Sequence, residues 1–70
     1  MGDAEDRAKL THLLGHWIEH NRSHEASYNE WAERARGFGE PSVAEFIEMA
    51  VEQMLEADEM LAEALEALTD

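Results

Sequence analysis

The chain has 70 residues, no cysteine, and 17 acidic against 5 basic side chains, for a net charge of −12. That length provides one small domain, and the missing cysteine rules out disulfides and thiolate metal sites. So acidic a surface repels phosphate backbones and anionic membranes, which argues against nucleic-acid and membrane partners.

The first stretch, MGDAEDRAKL, is acidic and lacks the apolar core of a signal peptide. No apolar run approaches the ~20 residues needed to span a bilayer. Together with the lack of cysteine, this predicts a soluble, cytoplasmic protein. The remainder is rich in Ala, Leu, Glu and Met, all good helix formers. A first helix is expected from about residue 4 to 36, with Asp3 as its N-cap. Its apolar seam is read along Leu10, Leu14, Trp17, Asn21, His24, Tyr28, Trp31 and Ala35, in steps of four and three, flanked by Leu13, Ile18 and Ala32. Trp17, Tyr28 and Trp31 are expected in the core. Gly15, in mid-helix, is either a surface residue or a point of close approach beside His16.

RGFGEPS, residues 36–42, is the one break in the helical pattern. Gly37 can sit just past a helix end, and Pro41 cannot continue a helix. Ser42-Val43-Ala44-Glu45 has the form of a capping box. A turn over 37–41 and a second helix over about 43–68 follow. Residues 1–70 then form a single all-α domain, an antiparallel helical hairpin.

The second helix is apolar over about half its circumference. Ile47, Val51, Met54, Leu55, Leu61 and Leu65 are candidate interface residues, because one neighbouring helix cannot bury so broad a face. Met49, Met54 and Met60 are read as filler rather than ligands. The expected solution is a homodimeric four-helix bundle, with a different helical protein as the alternative partner.

All four histidines, His12, His16, His20 and His24, recur at four-residue steps. Each step advances ~40° around a helix, so the row climbs from solvent at His12 to the seam at His24. Two imidazoles one turn apart can share a cation, and imidazole with carboxylate suits Ni, Zn or Co. With the turn centred near Gly39, position 20 or 21 lies level with about 58. Asp58 is the one acid on the apolar face of the second helix. The expected metal ligands are therefore His16, His20 and His24 with Asp58, or Glu59 at the same level. Asn21 would hydrogen-bond behind them, and Trp17 would stand beside them. The competing reading is a polar layer of His24, Asn21 and Asp58 that only sets pairing, or a buried histidine–acid pair that answers to pH.

Enzymatic signatures are absent. No Glu-x-x-His precedes His16, His20 or His24, there is no His-Glu-x-x-His, and no nucleophile stands beside a base. The expected function is therefore non-catalytic: metal storage, sensing or delivery, or else protein interaction. The segment His16-Trp17-x-x-His20-Asn21-x-x-His24, with Trp31-Ala32 downstream, resembles a family of small prokaryotic helical-hairpin domains of unknown function. The resemblance implies nickel or cobalt handling without catalysis.

Overall fold

The computed structural model describes residues 2–69. Two helices, α1 (Asp3–Gly37) and α2 (Pro41–Thr69), lie side by side as a hairpin and form a rod with Cα extents of 57 × 14 × 14 Å. Among the described residues there is no strand, and no helix is long and apolar enough to cross a membrane.

Both helix starts differ from expectation. The N-cap of α1 is Gly2, whose carbonyl accepts from the Asp6 amide at 2.7 Å, and no side chain caps it. Asp3 is instead the first helical residue. With Glu5 and Asp6 it places negative charge at the positive end of the helix dipole. α2 begins at Pro41 rather than Val43, and the Ser42–Glu45 capping box does not form. Proline suits the first helical position because its φ is preset and its missing N–H would have no partner there. The Glu40 carbonyl accepts the first bond of α2, from Ala44.

Gly37 remains helical, and the left-handed residue is Gly39, at φ 87°. The Glu40 amide donates to the Ala35 carbonyl at 2.8 Å and the Gly39 amide to the Arg36 carbonyl at 3.2 Å. This pair of bonds is a Schellman ending, which satisfies carbonyls the helix itself leaves open. Across the turn the Arg36 guanidinium donates to both oxygens of Glu48, at 2.6 and 2.5 Å. That fork holds the Glu48 carboxyl below its ordinary range.

Burial follows a heptad on each helix. On α1 the inward line runs through Leu14, Ile18, Asn21, Glu25, Ala32 and Ala35. On α2 it runs through Ala44, Ile47, Val51, Met54, Asp58, Leu61, Leu65 and Leu68. Residues equally far from the midpoint between Gly39 and Glu40 stand level, as Asn21 and Asp58 do. Ala32, Ala35 and Ala44, at 0, 2 and 0% exposure, bring the helices together near the turn, with Ile47 packed against them.

The expected α1 seam is thus half right. Leu14, Asn21 and Ala35 point inward, but the second inward line passes through Ile18, Glu25 and Ala32, one residue beyond Trp17, His24 and Trp31. Both choices alternate four and three. Alanine-lined helices approach too closely to hold indole rings between them, so Trp17 and Trp31 remain 42 and 52% exposed, and Tyr28 is exposed too. Ile47, Val51, Met54, Leu61 and Leu65, expected at a dimer interface, are used inside the hairpin seam. Leu55 is exposed, but on the far edge beside Arg22 and Ala62.

Candidate functional site

Halfway along the rod the seam is polar. The Asn21 amide Nδ2 donates to Asp58 Oδ1 at 2.9 Å. The third member is Glu25, not His24. Glu25 and Asp58 are only 6 and 8% exposed, and Glu25 Oε2 and Asp58 Oδ2 have no hydrogen-bond partner. A hydrogen bond to Asp58 raises the Glu25 carboxyl above its usual 4.5, and loss of water and the Asp58 charge add to the rise; Arg22 opposes it. When protonated, the Glu25 carboxyl can donate to Asp58. The acidic pair in the polar layer is therefore two carboxyls, Glu25 and Asp58, rather than a histidine and an acid. Glu25 escaped the sequence reading because a glutamate on a helix is ordinarily solvated. Its place seven residues after Ile18 and seven before Ala32 was the available signal.

The histidines lie outside the seam, and all four are exposed. His16, His20, His24 and Tyr28 form a continuous aromatic row, with centroid separations of 6.1, 4.5 and 6.0 Å. Within it the Nε2 atoms of His20 and His24 are 3.0 Å apart. His12 and His16 line a shallow groove on the other side of the rod with Gly15, Arg22 and Leu65. Gly15 has nothing within 4 Å of where a Cβ would stand, so it serves no close approach within the chain.

The expected set of three imidazoles with the Asp58 or Glu59 carboxylate does not assemble. Among the described residues no three His, Asp or Glu side chains converge on one point. Asp58 is committed to Asn21 and Glu25, and Glu59 lies by the groove with Arg22 and Leu55 on the opposite edge from His24. Asn21 binds Asp58 rather than an imidazole. Trp17 does stand on the same helix line as His24, exposed. Of the expected ligands, only His20 and His24 are brought together.

The heptad gives the rod two unlike sides. One carries Arg22, Arg36, Glu48 and the glutamates. The other carries Leu10, Trp17, His24 and Trp31 on α1 beside Val43, Ala50, Ala57 and Ala64 on α2, each line stepping by seven. Ser27, Tyr28, Trp31, Ile47 and Ala50 share one recess there. His20, Phe46 and Met60 lie along its outer edges. Over residues 10–67 the only charged side chain on this side is Arg34, at the edge, stacked 4.8 Å over the Trp31 ring.

A family model described as a domain of unknown function (DUF8180) matches residues 10–68. An uncharacterized protein of Archaeoglobus fulgidus is 34% identical over 58 residues, covering 83% of this chain and 92% of that relative. No solved structure matches.

Proposed function

The chain belongs to the family of the domain of unknown function DUF8180, whose description assigns no activity, and we propose from its geometry that it binds a divalent transition metal through His20 and His24. The observation that carries this reading is the 3.0 Å separation of the two Nε2 atoms on an exposed edge. Two imidazole nitrogens, each about 2.1 Å from one ion in neighbouring coordination positions, stand about 3.0–3.4 Å apart. An all-nitrogen start suits Zn, Ni or Co. The role is storage, sensing or delivery, without catalysis, in the cytoplasm. The lack of an activated nucleophile and of cysteine supports those parts of the reading.

Titration calorimetry with Ni²⁺, Zn²⁺ and Co²⁺ on chelator-treated protein tests it. Micromolar binding is expected, lost in His20→Ala/His24→Ala and kept in His12→Ala/His16→Ala. Equal binding by all three proteins would refute it.

A second reading, self-association into a four-helix bundle, is favoured by the uncharged side of the rod. Each helix carries an apolar line beside its inward pair of lines, the width that bundle helices bury and a lone hairpin leaves wet. Sedimentation equilibrium is expected to give twice the chain mass.

A further inference from the structure

We infer that the side bearing Trp17, His24 and Trp31 packs against the same side of a second copy, head to tail, so that two His20–His24 pairs meet on a twofold axis and form a four-imidazole site for one metal ion. The cation in this site rests on the metal reading above; the packing does not.

Charge and area both favour a second copy as the occupant of this side. At −12 per chain, copies meet with least repulsion where carboxylates are absent, and this side has none from residue 10 to 67. Copies reversed about His24 overlap over about 42 Å, so at a width of 14 Å each contributes about 600 Å², within the range of standard interfaces.

The direction of packing comes from a symmetry in the lines themselves. A twofold contact requires a surface that matches itself when reversed. Outward from His24, α1 presents indoles seven residues away on both sides, Trp17 and Trp31; at fourteen residues stand Leu10 on α1 and Phe38 in the turn just past its end. On α2 the line of Val43, Ala50, Ala57 and Ala64 is centred between Ala50 and Ala57, and Phe46 and Met60 are symmetric about Gln53. The hairpin register sets residue 54 level with residue 25, so the two centres coincide to within about a turn of helix. Reversal about that height lays Trp17 over the copy's indole from the other half, and His24 over its own counterpart.

Each copy then delivers two ring nitrogens already 3.0 Å apart, and His20 lies one turn from the axis. Four neutral imidazoles in a tetrahedral set satisfy Zn²⁺ without any thiolate. Hairpins packed with both turns at the same end would instead put α1 over α2, leaving each pair of histidines against alanines with two ligands only.

The natural chain has no cysteine, so introduced ones report position cleanly. Ala50→Cys and Ala57→Cys change small exposed residues. An equimolar mixture of the two is expected to oxidise to a covalent dimer holding one chain of each kind, while Ala50→Cys alone stays largely uncrosslinked because its thiols are about 10–15 Å apart along the axis. Zn²⁺ titration of the natural chain is expected to saturate at one ion per two chains, with binding abolished by His24→Ala. Failure of the mixture to link overturns the packing. Linking with one ion per chain overturns the shared site but leaves metal binding by single pairs. Linking without uptake of Zn²⁺, Ni²⁺ or Co²⁺ removes the metal reading itself and the site with it.

Discussion

Glu25 occupies a seam position where an apolar side chain would be the cheaper choice, in a chain that already carries an excess of acids. Its folded carboxyl holds a proton more tightly than an unfolded one because Asp58 accepts a hydrogen bond from it. The folded form therefore binds more protons than the unfolded form above the usual 4.5, and stability must fall as pH rises through the raised value. Glu25→Gln keeps a donor toward Asp58 and removes the titration. Urea melts are expected to show the variant more stable than the natural chain at pH 8, with the gap closing near pH 4. A gap that is the same at both would show that the two carboxyls do not share a proton. At this scale the sequence was legible where geometry alone decided: the distance from the turn was enough to pair position 21 with Asp58. It was not legible where two lines one residue apart both met the four–three rule. The line through Trp17, His24 and Trp31 satisfied the spacing as well as the line through Ile18, Glu25 and Ala32, and the close helix approach set by Ala32, Ala35 and Ala44 selects the second.

At the scale of the elements, two glycines show how one substitution changes sign with backbone conformation. Gly39 closes the Schellman turn at φ 87°, where a Cβ meets its own backbone although nothing else lies within 4 Å. Gly39→Ala is expected to cost about 1 kcal/mol in urea unfolding. Gly15 is helical, with the same open space around it. Gly15→Ala is expected to stabilise α1 by about 1 kcal/mol with an unchanged denaturant slope. A loss of stability there would mean that another molecule approaches that backbone. The existence, order and rough extent of both helices were readable from composition and from RGFGEPS. The ends were not, because Gly37 and Gly39 were equally plausible terminators and Pro41 fits both just before a helix and at its first position. The Arg36–Glu48 fork, which depends on the final register, gave no sequence signal of its own; its carboxyl titrates in the opposite sense to Glu25 and its contribution is lost as pH falls.

The whole rod sets an electrostatic problem that its proposed assembly has to solve. Among the described residues no large side chain is completely buried; the apolar core is Ala32, Ala35 and Ala44 with Leu14, Ile18 and Val51. A core that thin is marginal alone and gains from a partner. Bringing two chains of −12 together costs repulsion between the exposed glutamate lines, including Glu45, Glu52, Glu59 and Glu66, which stay outside the proposed contact. Salt screens such exposed charges, with a Debye length falling from ~10 Å at 0.1 M to ~3 Å at 1 M. Self-association through the uncharged side must therefore strengthen as salt is added, whereas an interface held by ion pairs would weaken. Sedimentation across that salt range reads the sign directly. Ala57→Glu would set a desolvated carboxylate inside the contact and is expected to weaken association by about a hundredfold or more, since like-charge juxtaposition costs several kcal/mol. Ala62→Glu, on the opposite side of α2, is the matched change that should leave the mass unaltered. If both variants dissociate equally, or neither does, the copies do not meet through the side of the rod that carries His24.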